Sequence, residues 1–359
     1  MVEILQQTDN PSLQNQRVEY IDFLRIISTF AVVLLHIASQ NLRVCDVHSF
    51  NWHIFNASDS AVRWAVPVFV MISGALFLGR EQTIEKLFRK NIFRILTCLV
   101  FWSAFYAVMD YITKRSAANA VKQFIVGRTH LWFLFMIIGL YLIVPFLNKI
   151  VESGNLTAYF LLIFFVFAVV MRQAALIVPY FSSFFGTILK KVISNMNFHF
   201  ALGYSGYFVL GYYLKTTKIS KKKEAAIYLL GLLGLAGTIL GTFAVSSYKG
   251  KTDTVLYDEF GLNVLFMAVA VYVFGKMRLS KIALSNRAKN LIAKLSQYSF
   301  GVYLVHFFII DTFRIRLNLT TLSFKPVFSV PVLFLTVSLI SLLISVILNR
   351  IPVLKKYIL

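Results

Sequence analysis

Apolar runs of about twenty residues, separated by short polar loops, recur from one end of the chain to the other. A helix that crosses the hydrocarbon core needs roughly 20 mostly apolar residues. Ten stretches meet that need: 20–39, 60–79, 93–112, 131–150, 158–178, 198–215, 225–247, 260–277, 297–315 and 327–349. The stretch 179–197 is apolar but interrupted, and reads as a re-entrant or interfacial piece. The expected fold is an all-α integral membrane protein of about ten transmembrane helices. Residues 1–19 are expected to be a disordered cytoplasmic leader, 20–349 a single membrane domain and 350–359 a cytoplasmic tail. The leader is too polar for a secretory signal peptide. The longest loops are too short to fold alone, so any chemistry is built from helix faces and loop ends.

Composition strengthens this picture. Of the 359 residues 58% are hydrophobic and 14% charged, with a mean hydropathy of +0.73. A soluble chain carries roughly a quarter charged residues, so there are too few polar side chains here to cover a water-facing surface. The net charge of +21 would suggest nucleic acid in a soluble protein. Here the basic residues concentrate in short loops between spans, which is the positive-inside pattern, and no nucleic-acid partner is expected. With the N-terminus inside, 21 of the 36 Lys and Arg fall in cytoplasmic segments and 14 in outer ones, with Arg25 inside the first span. That bias favours both termini in the cytoplasm, and an even number of spans agrees by placing them on one side. Cys45 and Cys98 cannot build a disulfide framework.

Polar residues inside a span are costly, by a few kcal/mol for a charge at the bilayer centre, and so they carry information. The first span holds Asp22, Arg25 and His36. Arg25 and His36 are eleven residues apart, close to three whole turns, so they share a face about 16 Å apart along the axis. Asp22 precedes Arg25 by three residues and can pair with it. The bland reading makes Asp22 and Arg25 snorkelling anchors and His36 a partner for a neighbouring helix. The second span carries Pro67, Ser73 and Gly74, where freed backbone groups suit a cavity or a second helix. After it comes the basic run Lys86, Arg89, Lys90 and Arg94, suited to lipid headgroups or to the phosphates of a nucleotide-containing donor.

Further along, His130 and Trp132 fall at a span boundary, where Trp commonly anchors a helix. Tyr303 and His306 share a face of the ninth span; each reads more readily as a packed, hydrogen-bonded residue than as a catalyst. His48, His53 and His199 carry no strong signal. No metal-ligand spacing occurs, and no metal is expected.

Taken together, several motifs resemble the acyltransferase-3 family of membrane acyltransferases. The opening Arg17, Asp22, Arg25 and His36 is similar to that family's signature, and PVFVMISGALFL, with Pro67, Ser73 and Gly74, to its second-helix motif. HLWFL, with His130, Trp132 and Phe133, resembles a third motif and YFVLGYYL, with Gly211, a fourth. YSFGVYLVH, with Ser299, Tyr303 and His306, resembles the near-C-terminal helix. The motifs keep the family's order over residues 17 to 306. One departure concerns the R-x-x-R pair after the second helix, whose best register here gives Asn91 and Arg94, with Arg89 and Lys90 beside it.

The resemblance implies transfer of an acyl group, most often acetyl, from cytoplasmic acyl-CoA to a hydroxyl of a surface or lipid-linked saccharide across a bacterial inner membrane. The layout is most similar to stand-alone surface-saccharide O-acetyltransferases. His36 would be general base or acyl carrier, with Arg25 and Asp22 beside it. Arg89, Lys90, Arg94 and Ser73 would serve the donor, and His130, Trp132, Tyr303 and His306 the acceptor or its surroundings. A transporter or flippase, or an export subunit without transfer chemistry, also accommodates ten helices and buried charge. Against a transporter, the two halves show no repeat and no paired broken helices.

Overall fold

The computed structural model describes residues 19–80, 83–195 and 203–359. Arg17, His199 and nearly all of the leader lie outside the described residues. Every regular element among the described residues is helical. Helix starts follow local chemistry that can be read from the chain. Ser49, Thr83, Ser116, Ser153 and Ser220 each stand in extended backbone just before a helix and accept a backbone N–H three residues on. These caps satisfy donors that an opening helical turn leaves without partners.

Eight helical stretches among the described residues are long and apolar enough to cross a membrane. They cover eight of the ten expected spans. Of the other two, 198–215 is represented by the 13-residue helix Tyr204–Thr216, preceded by residues outside the description. The expected 297–315 lies in the 31-residue helix Asn286–Arg316, which has the length to cross but is less apolar. The interrupted stretch after residue 178 forms the helix Ser183–Asn195.

The chain divides into two compact units, one of Met1–Gly79 with Leu147–Ser296 and one of Arg80–Phe146 with Gln297–Leu359. In the first unit, Glu19–Ala38 packs on Ala65–Phe77 and Leu262–Met277, and Lys221–Lys249 lies along Leu262–Met277. Small residues allow the closest contacts. Gly74 of Ala65–Phe77 meets the backbone of Phe208, and Gly211 of Tyr204–Thr216 meets the backbone of Met71. Without a strong hydrophobic force between helices in lipid, such close van der Waals approach is a main source of association. Lys215 and Lys276 donate to the backbone oxygens of Ala75, Leu214 and Thr217, bonding carbonyls near helix C-termini.

In the second unit, Leu87–Ile92 is π-helical and runs directly into Phe93–Lys114. Tyr106 on that helix donates to the carbonyl of Leu304 at 2.8 Å, and Ser345 donates to that of Tyr298 at 2.8 Å. These bonds tie Phe93–Lys114 and Pro326–Leu348 to Asn286–Arg316.

Candidate functional site

The first helix, Glu19–Ala38, places acid in its first turn, matching the helix dipole, and His36 in its last. Asp22 and Arg25 form the expected pair, with Arg25 Nη1 3.4 Å from Asp22 Oδ1. A third residue completes the arrangement. Ser296 Oγ donates to Asp22 Oδ1 at 2.6 Å and accepts from Arg25 Nη1 at 2.9 Å. Asp22 and Ser296 are buried, while the Arg25 side chain keeps 31% exposure. The serine thus bridges cation and carboxylate, and two of the three groups are fixed within the protein. Thr29 also donates to the carbonyl of Arg25. His36 lies three turns further along the same helix, half-buried, with its carbonyl accepting from Ser39 Oγ at 3.3 Å.

Ser73, also in this unit, donates back to the carbonyl of Phe69 at 3.0 Å, one turn earlier in its own helix. Its hydroxyl supports the helix beside Gly74.

The remaining candidates belong to the second unit. Arg89 and Lys90 lie in the π-helical segment and are exposed, and Arg89 pairs with Glu85 at 3.2 Å. Arg94 donates to the backbone oxygen of Leu359. His130, Tyr303 and His306 come together as a buried cluster. The His130 ring lies 5.6 Å from Tyr303 and 5.2 Å from His306, and stacks on Phe307 at 5.0 Å. Tyr303 Oη donates to the carbonyl of His130, and His306 Nδ1 lies 2.6 Å from the carbonyl of Tyr303. Trp132, two residues from His130, is partly exposed and is not part of the cluster. One motif therefore splits between an inward imidazole and an outward indole.

With this geometry in place, the comparisons are decisive. The family model described as an acyltransferase domain matches residues 18–350, nearly the whole chain. The chain belongs to the acyltransferase-3 family. As a member it is a membrane acyltransferase with several apolar helices able to span the bilayer. No curated protein and no solved structure matches it.

Several polar residues of this acyltransferase escape sequence reading. Ser296 is one, because a serine inside a helix gives no local sign that it will meet a carboxylate 274 positions away. Arg128 is another: it pairs with Asp311, lies 4.0 Å from Asp110 and sits over the Phe307 ring at 5.3 Å. In the first unit, Asp59 is fully buried and paired with Arg63, whose guanidinium covers the Tyr257 ring at 3.9 Å. The only advance signal for that pair is its four-residue spacing. Among the described residues no group of His, Cys, Asp and Glu has the makings of a metal site.

Proposed function

We propose that this acyltransferase moves an acyl group, acetyl in the simplest case, from cytoplasmic acyl-CoA to a hydroxyl of a lipid-linked or surface saccharide at a bacterial inner membrane. The observation that carries the reading is the Asp22–Arg25–Ser296 arrangement on the helix that also bears His36. A half-exposed guanidinium held at a fixed position suits an anionic donor, since less rotamer freedom is lost when it binds. A saccharide hydroxyl is a poor nucleophile and needs a base, and imidazole serves as one near neutral pH.

In this reading His36 accepts the hydroxyl proton as the saccharide oxygen attacks the thioester carbonyl. The new C–O bond forms, the C–S bond breaks, and the leaving thiolate of coenzyme A takes the proton from the imidazolium. In the covalent variant the imidazole nitrogen attacks first, the C–S bond breaks and the thiolate leaves with the ring's proton; the saccharide oxygen then attacks the acyl-imidazole, the C–N bond breaks and the imidazole takes the hydroxyl proton. The exposed Arg89 and Lys90 are the further donor-side cations in this proposal. The role proposed for His130, Tyr303 and His306 is positioning, because Tyr303 Oη and His306 Nδ1 are engaged with backbone carbonyls and the rings pack on one another.

The test is purified protein in nanodiscs, given radiolabelled acetyl-CoA, with wild type beside His36→Ala. Release or transfer of label by wild type alone supports the proposal, and label retained on wild-type protein selects the covalent variant. Turnover by His36→Ala at the wild-type rate removes His36 from the reaction. Absence of turnover by wild type with acetyl and longer acyl-CoAs would leave the donor assignment without support.

A further inference from the structure

The second unit contains a basic cleft that acyl transfer does not call for. It has a volume of about 460 Å³, and its lining includes Arg94, Gln297, Asn349, Lys355 and Lys356. None of the lining side chains is a carboxylate. Among the described residues no acidic side chain pairs with Lys355 or Lys356, Lys356 lies over the Tyr357 ring, and Arg94 bonds the terminal carboxylate of Leu359. Three cations therefore converge on one concave space that also holds the carboxylate of Leu359, the last residue, so two positive charges are left over. Gln297 Nε2 and Asn349 Oδ1, 3.3 Å apart, add neutral polar groups at the same place.

Position says what kind of anion belongs there. Arg94 opens Phe93–Lys114, and Lys355 lies seven residues beyond Leu348, where Pro326–Leu348 ends. The lysines sit on the short helix Pro352–Tyr357, which also exposes Val353 and Tyr357, while Phe93 is exposed next to Arg94. Apolar side chains beside a cationic cleft at the ends of two spans suit a molecule with a phosphate head and an apolar tail. Basic residues just beyond a span attract anionic headgroups, and a short interfacial segment gains by burying its apolar side chains among acyl chains.

We propose that this cleft binds the phosphodiester of an anionic membrane lipid headgroup. The bound headgroup fastens the 352–357 helix against Phe93–Lys114 and offsets part of the positive charge left over. Arg94 is the one residue this site shares with the donor set expected from the sequence; Lys355 and Lys356 belong to this site alone. The same phosphate chemistry is present in coenzyme A, so the test separates the two sources.

The full chain in neutral detergent is titrated in native mass spectrometry with phosphatidylglycerol, phosphatidylcholine and coenzyme A, as wild type, Lys355→Gln/Lys356→Gln and Lys355→Arg/Lys356→Arg. The expected result is phosphatidylglycerol affinity about thirtyfold weaker in the Gln pair, preserved in the Arg pair, with the other two ligands unchanged. Equal phosphatidylglycerol binding by wild type and the Gln pair overturns the proposal. A loss confined to coenzyme A also overturns it and makes the cleft a nucleotide seat. Should the Gln pair fail to fold, the Arg pair still decides, because no preference for phosphatidylglycerol over phosphatidylcholine in it and in wild type rejects the site.

Discussion

Gly74 and Gly211 each rest on the backbone of the other's helix: a Cβ on Gly74 would stand 1.7 Å from the Phe208 carbonyl oxygen, and one on Gly211 1.9 Å from that of Met71. The contact is reciprocal and backbone to backbone, so no rotamer change can relieve an added methyl group. It places Ala65–Phe77 against Tyr204–Thr216, and Ala65–Phe77 in turn packs on the helix that carries Asp22, Arg25 and His36.

Gly74→Ala and Gly211→Ala are each expected to destabilise the protein by about 1–3 kcal/mol or more through overpacking. Gly237→Ala is the control, since nothing lies within 4 Å of its would-be Cβ. It should be neutral or gain up to about 1 kcal/mol from helix propensity. Thermal unfolding in detergent measures all three, and equal midpoints for Gly74→Ala and Gly237→Ala would contradict the close approach.

Removing the bridging hydroxyl tests the three-residue arrangement on the first helix. Ser296→Ala takes away a charge-assisted bond to buried Asp22, at about 1.5–3 kcal/mol. Asp22→Asn and Ser296→Ala should be non-additive, because both act on one bond. Unfolding midpoints of the two single variants and the double variant give the coupling directly. A coupling of zero would mean that Ser296 merely fills space.

Arg128 neutralises Asp311 and stands near buried Asp110 in the second unit. Arg128→Ala takes this cation from both carboxylates, leaving Asp311 its 2.9 Å pair with the exposed Arg314, and is expected to cost about 1–3 kcal/mol, at or below the low end for breaking a buried pair. Adding Asp311→Asn should recover part of that loss. A double variant less stable than Arg128→Ala would show that Asp311 does not depend on the arginine's charge.

Asp253, in the loop after Lys221–Lys249, supplies a pH dependence. Burial opposes its ionisation, but hydrogen bonds from Lys249, from Tyr180 at 2.8 Å and from the Val255 N–H at 2.9 Å outweigh it, holding the carboxyl below its usual range. A depressed folded pKa stabilises the fold above the unfolded value of about 4 and loses that contribution as pH falls through the folded value. The melting advantage of wild type over Asp253→Asn should therefore be constant near neutrality and shrink below about pH 4. An advantage that grew on acidification would reverse the sign and refute the assignment.

The sequence by itself determined the membrane class, most of the spans and the Asp22–Arg25 pair, and it holds the capping residues at which several helices start. All of these are local: hydropathy over about twenty residues, a capping Ser or Thr, and a three-residue spacing that the helix makes adjacent whatever surrounds it. It also marked His130, Tyr303, His306, Gly74 and Gly211 as worth attention without saying what each one meets. Only the tertiary structure decided that Ser296 joins the first helix's ion pair, that His130 turns inward while its neighbour Trp132 does not, and that the 352–357 helix brings two lysines to Arg94. Those outcomes depend on how each helix is rotated about its axis and which neighbour it meets. That choice is made by contacts such as those of Gly74 with Phe208 and Gly211 with Met71, between residues far apart in the chain, and no local pattern encodes it.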